Sequence, residues 1–276
     1  MSTEIPESYK TGIQHIEELD LGAMTEWLRA ELHEQVHVLA GQAYDYPVQA
    51  IVNHHPYLSP ETQKRMANAI EVLILDWKQA ANAWSDSAVQ ALLSLAAELP
   101  VPGAKSKLQS LVESQAFSNL AEYLRPAVLG AIATLSINDD RAFWKTLPDD
   151  YPKFAGMAFQ VLTRISHEDA LELLGRLPDD QQVIGSVARK LPDFVSQFEP
   201  EPQLQAVKLR QISEALASLP TGSAASLKLA IEEAGFKLGE TPSLLAAQQK
   251  LKFREFLNAV VPTVHPVNTL DLEYAT

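Results

Sequence analysis

INDDRAFWKTLPDDYPKFAGMAFQVLTRISHEDALELLGRLPDDQQVIGSVARKLPDF, residues 137–194, is the stretch that decides the fold. Within it DRAFWKTLPDD (140–150) is answered by ALELLGRLPDD (170–180), and Leu147-Pro148-Asp149-Asp150 recurs as Leu177-Pro178-Asp179-Asp180. A period of about 30 residues fits two short helices and their turns. Such a unit cannot bury its apolar stripe alone and must stack on copies of itself.

Outward from there the phrase repeats more faintly. AELPVPGAKSKLQSLVESQAF (97–117) is echoed by ASLPTGSAASLKLAIEEAGF (217–236), with Leu99 and Leu219 120 residues, about four units, apart. Leu-Pro occurs at Leu99, Leu147, Leu177, Leu191 and Leu219. Proline cannot continue a helix, so each is expected to mark a corner with its leucine turned inward.

Taken in order, residues 1–12 read as a loose start, 13–261 as one helical repeat domain, and 262–276 as a frayed tail. Apolar residues from Ile16 through Met24, Leu28, Leu32 and Val36 to Leu39 predict a helix over 13–40. A short helix follows near 47–52, then a polar turn at His54-His55-Pro56-Tyr57. Ser59-Pro60-Glu61 is a helix start, with a hydroxyl at the N-cap, proline next and an acid in the first turn. Met66, Ile70, Leu73 and Trp77 follow at helical spacing. Val72 and Leu75 widen that face, which predicts a central helix packed on more than one side. Residues 85–99 form a cleaner amphipathic helix, and Thr241-Pro242 starts a last one running to Val260. Trp27, Trp77, Trp84 and Trp144 are expected in packing positions.

LRPAVLGAI (124–132) resembles the first helix of a HEAT repeat, with its proline-bent, alanine-rich packing face. The resemblance is to HEAT-like α-solenoids as a class and spans about residues 60–260. It implies an all-α chain, a single elongated right-handed stack of short antiparallel helix pairs, whose surface serves as a scaffold for a protein or peptide partner.

Composition bounds the function. The net charge of −13 disfavours phosphate backbones and anionic membranes, so neither nucleic acid nor membrane is expected as partner. Residues 1–40 hold eight acids and two bases. With no cysteine, disulfides, thiolate metal sites and cysteine nucleophiles are excluded. MSTEIPESYK lacks the basic stretch and apolar run of a signal peptide, and no apolar run reaches the length of a membrane span, so no signal peptide and a cytoplasmic location are expected.

Two constellations could carry function. His33-Glu34-Gln35-Val36-His37 is an HExxH on the helix predicted over 13–40. Spacing of i, i+4 would set both imidazoles on one face around a metal, with the glutamate polarising its water. This motif resembles the zincin metalloprotease signature, but Ala40 and Ala43 stand where the elongated metzincin pattern needs glycine and a third histidine. It carries the alternative reading, a metal-dependent hydrolase or hydroxylase with Zn or Fe at His33, Glu34 and His37. The second constellation is the three Asp-Asp pairs, Asp139/Asp140, Asp149/Asp150 and Asp179/Asp180, expected at helix starts. Stacked corners would align them into an acidic edge for a basic partner. The leading expectation is a non-catalytic scaffold, adaptor or inhibitor without a cofactor, which binds a protein partner on the solenoid surface.

Overall fold

The computed structural model describes residues 5–33, 37–39, 42–44, 47–99 and 101–238. The predicted last helix from Thr241 and the tail 262–276 lie outside the described residues. The chain divides into two compact units, Met1–Ser136 and Ile137–Thr276, where the sequence reads as one continuous domain.

In the first unit a 3-10 turn (Glu7–Tyr9) leads into α1 (Lys10–Glu18) and α2 (Leu21–His33), then a hairpin of β1 (His37–Leu39) and β2 (Gln42–Tyr44). There follow α3 (Pro47–His54), α4 (Pro60–Gln79), α5 (Asp86–Glu98), α6 (Ala104–Val112), α7 (Gln115–Asn119) and α8 (Leu124–Leu135). The second unit holds α9 (Arg141–Asp150), α10 (Ala155–Ile165), α11 (His167–Leu174), α12 (Gln181–Ser196), α13 (Pro202–Leu216) and α14 (Thr221–Glu233). The class is all-α, with the one antiparallel hairpin, Val38 opposite Ala43, as an exception among the described residues. No helix among them is long and apolar enough to cross a membrane.

Side-chain caps fix several helix starts. Ser59 accepts from the Thr62 N–H at 3.3 Å and Ser85 from the Ala88 N–H at 3.2 Å, so α4 and α5 begin where the sequence places them. Ser166 caps α11, and the Asp180 carboxylate accepts from Gln182 and Val183 to open α12.

The helix predicted over 13–40 is three separate pieces. It breaks at Leu19-Asp20, where Asp20 caps α2 through the Ala23 N–H at 2.8 Å, and ends at His33, beyond which Val38 and Tyr44 serve as strand formers. The start is not loose beyond Glu7: Tyr9 stacks on His54 at 4.4 Å, and Ile13 and Ile16 are buried. Glu17 then ties α1 to α4 by accepting from the Ser59 N–H and the Ser59 and Thr62 hydroxyls.

Within the first unit α2 packs on α4 and α4 on α6, while α3 packs on α5 and α5 on α8; α4–α5 and α6–α8 contacts join the two rows. Met24, Leu28, Met66, Ile70, Leu73 and Leu92 are fully buried between them. Val72 and Leu75 are not part of that core. They are 43% and 40% exposed, whereas the residues through which α4 packs on α2, α5 and α6 are buried. Trp77, Trp84 and Trp144 are buried as expected, and Trp27 is half-buried.

The second unit repeats the arrangement. Helices α9, α11 and α13 form one row, α10, α12 and α14 the other, and α10 packs on both α9 and α11. Helices α9 and α11, which carry parts of the two halves of the 30-residue echo, are neighbours in one row. Trp144 and Leu174 are fully buried at that offset, and Leu147 and Leu177 nearly so. The repeated LPDD nevertheless folds in two ways: residues 147–150 are the last turn of α9, with Pro148 inside the helix, whereas 177–180 lie outside any helix and lead into α12. Helix α11 stops at Leu174-Gly175, three residues before its Leu-Pro. Leu191-Pro192 also lies inside a helix, α12, so Leu-Pro marks a helix end at Leu99, Leu177 and Leu219 only. The leucines of all but Leu219 are buried.

Candidate functional site

The HExxH loses its helical basis. His33 is the last residue of α2 and His37 stands in β1, so the two are not one helical turn apart; Glu34 lies outside the described residues. The exposed His33 ring lies 5.3 Å from that of Trp84, whose indole N–H donates to Asp76 at 3.0 Å. Arg29 pairs with the same carboxylate at 3.3 Å, which makes this a packing corner between α2 and the end of α4. Among the described residues no group of three or more histidines and carboxylates is placed to hold a metal ion. Nor are His54-His55 a polar turn. His54 is fully buried and its Nδ1 donates to the Ala50 carbonyl at 2.7 Å, while burial lowers the pKa of His55.

The three Asp-Asp pairs are separated by the fold. Asp139 and Asp140 precede α9, but Asp149 and Asp150 are its last two residues, at the opposite end and not at a helix start. Asp140 is buried and accepts from the Ile137 N–H at 2.7 Å, closing the turn into α9. Asp179 and Asp180 precede α12. Arg176, just past α11, pairs with Asp149 at 2.8 Å and donates to the Lys145 carbonyl, which brings the end of α9 beside the end of α11. Arg176 thus ties Asp149 to the segment that leads to Asp179 and Asp180, while Asp139 and Asp140 stand at the other end of α9. Asp180 is occupied as the cap of α12, and Asp179 accepts from the Ser223 hydroxyl of α14 at 2.5 Å. Asp139 and Asp150 are exposed.

Asp179 also lines a groove of about 410 Å³ between α12 and α14, with Ile184, Gly185 and Ala188 on one side and Gly222, Ser223 and Ser226 on the other. A Cβ added at Gly185 or Gly222 would meet nothing within 4 Å, so the groove floor is low along both helices. Among the described residues one carboxylate, two hydroxyls and the Gln181 amide line it, with no histidine, lysine or arginine. Such a lining suits hydrogen bonding and close backbone approach; it holds no nucleophile beside a histidine base. Sequence reasoning missed Gly185, Gly222 and Ser226. The available signal was glycine inside an amphipathic helix, where alanine would be more stable.

An ion network joins α9 to α11 on the other row. Asp169, buried, takes Arg141 at 3.3 Å and Lys145 at 3.4 Å, and Lys145 also pairs with Glu172 at 2.5 Å. Burial opposes ionisation of Asp169, but hydrogen bonds from Ser166 and Lys145 and the two cationic charges outweigh it and hold the pKa below the ordinary carboxylate value. These groups satisfy one another, so the network serves packing. Comparison of the chain with protein-family models, with curated proteins and with solved structures found no match.

Proposed function

We propose that the chain is a non-catalytic binding protein, a HEAT-like α-solenoid in each unit, which holds a protein or peptide partner as scaffold, adaptor or inhibitor in the cytoplasm. What supports the solenoid is the order of packing, in which alternate helices form two rows and each row extends by one helix per repeat. The observation that carries the binding reading is the α12–α14 groove, with small residues along both walls and the Asp179 carboxylate among its lining. A segment with a basic side chain near Asp179 and small or apolar residues along Gly185 and Gly222 matches that surface in shape and charge.

The test is affinity capture from native lysate at low salt with the wild-type chain and with Gly185→Leu/Gly222→Leu, which fills the groove where there is room for the added atoms. A protein retained by the first and lost from the second supports the reading. Equal retention by both sinks the groove as the binding surface. The alternative enzyme, with Zn or Fe at His33, Glu34 and His37, predicts instead metal that copurifies with untagged protein and is lost in His33→Ala/His37→Ala.

A further inference from the structure

His167, the first residue of α11, sits against a pair of phenylalanines. Its ring meets Phe194 of α12 at 5.4 Å and Phe198, just past α12, at 5.1 Å, both steeply inclined, and the two phenylalanines meet each other at 5.6 Å. From α13 the Lys208 ammonium lies 5.6 Å from the centre of the same Phe198 ring. The imidazole hydrogen-bonds with the Thr163 backbone of α10 and the Gln197 side chain. Three helices and the segment after α12 thus converge on one titratable side chain.

Acids and bases both stand on the surrounding elements, with Glu199 and Glu201 exposed on the segment between α12 and α13, but the charge that acts on the ring is a cation. Lys208 is the charged group that acts on His167 from α13, where Arg210 is paired with Glu214. On α12, Lys190 is paired with Asp193, and Arg189 donates to the Gly185 carbonyl. The charged side chain of α10, Arg164, is exposed. On α11 itself Glu168 is exposed and Asp169 is turned to Arg141 and Lys145. The ring also stands at the N-terminal end of α11, where the helix dipole disfavours a cation.

We propose that this cluster is a proton-sensitive joint: an imidazolium at His167 would face the Lys208 ammonium across Phe198 and the positive end of α11, so acidification below neutrality loosens α11 from α12 and α13. Burial first, and the Lys208 charge second, lower the pKa of His167 from its ordinary 6.5, against the raising effect of its two hydrogen bonds. With the folded-state pKa below the unfolded one, the unfolded chain takes the proton first. The joint contributes fully above the unfolded value and is lost as pH falls from there through the folded value.

The full chain is titrated by NMR at the imidazole C–H of its seven histidines, with urea unfolding followed between pH 7.5 and 5.5. Expected are a His167 midpoint below the ordinary histidine value, an upward shift of that midpoint in Lys208→Met, and a fall in the urea midpoint with acidification that is smaller in His167→Gln. The buried His55 contributes its own pH dependence to both proteins and cancels in that comparison. A His167 midpoint at or above the ordinary value overturns the proposal, as does one that Lys208→Met leaves in place. So does a His167→Gln protein with the wild-type pH dependence. If His167→Gln does not fold, the two wild-type and Lys208→Met midpoints decide alone.

Discussion

Two glycines show how finely single positions are set. Gly156 lies where α10 crosses α12, and a Cβ there would run into Ser186, whose own Cβ would be 3.0 Å away. Gly185, beside Ser186 on α12, faces open space. Gly156→Ala is therefore expected to cost about 1–3 kcal/mol through overpacking, and Gly185→Ala to add about 0.5–1 kcal/mol through helix propensity alone. Urea midpoints of the two variants should move in opposite directions; movement in the same direction would refute the packing account. At Glu17 the decisive quantity is charge. Burial opposes its ionisation, but the Ser59 N–H, the Ser59 and Thr62 hydroxyls and the Arg65 charge prevail and lower its pKa from 4.5. Its contribution is thus whole above about pH 4.5 and is lost as pH falls through the lower, folded-state value. Glu17→Gln should cost about 1–2 kcal/mol at neutral pH, the worth of a charge-assisted hydrogen bond set. That gap, read from paired urea titrations, should close in acid; a gap that persists unchanged at pH 3 would contradict it.

At the scale of the element, the caps decide what could be read in advance. Asp180 binds two backbone N–H groups of α12, so Asp180→Ala should cost about 1 kcal/mol, whereas exposed Asp139→Ala and Asp150→Ala should stay within about 0.5 kcal/mol. Thermal unfolding of the three variants checks this, and equal losses at all three would show that the acids act as a collective charge. Ser59 was legible because a cap is local chemistry: a hydroxyl and the N–H three residues on suffice. The 30-residue echo was legible for the same kind of reason, since burial at Trp144 and Leu147 recurs at Leu174 and Leu177. What escaped was non-local. LPDD ends α9 at 147–150 but leads into α12 at 177–180, where Arg176 is held on the end of α9 and Asp179 reaches Ser223. The apolar spacing through Val36 and Leu39 fits a helix, yet the chain turns into a hairpin whose pairing no helical period reveals. The groove escaped too, since Gly185 and Gly222 are 37 residues apart and meet only once α12 and α14 are side by side.

For the whole molecule the boundary at Ser136-Ile137 carries the argument. Nothing in Ser136-Ile137-Asn138-Asp139-Asp140 distinguishes it from the other turns between helices: there is no proline or glycine run and no change of composition. Yet each side of it closes its own core. Met24, Met66, Ile70 and Leu92 are fully buried within the first unit, and Trp144, Phe159, Leu174 and Val187 within the second. On the proposed solenoid reading each helix answers to near neighbours and stability is close to a sum of local terms, so a piece that holds whole pairs should keep most of its own. Residues 1–136 and 137–276, expressed separately, are therefore expected to give helical far-UV spectra and cooperative urea transitions. The second fragment carries the α12–α14 groove entire and should retain any partner that the Gly185→Leu/Gly222→Leu protein loses. A fragment 137–276 that folds but does not capture that partner would move the binding surface elsewhere. A fragment 1–136 without a cooperative transition would mean that the first unit depends on chain beyond Ser136, against the closure of its own core.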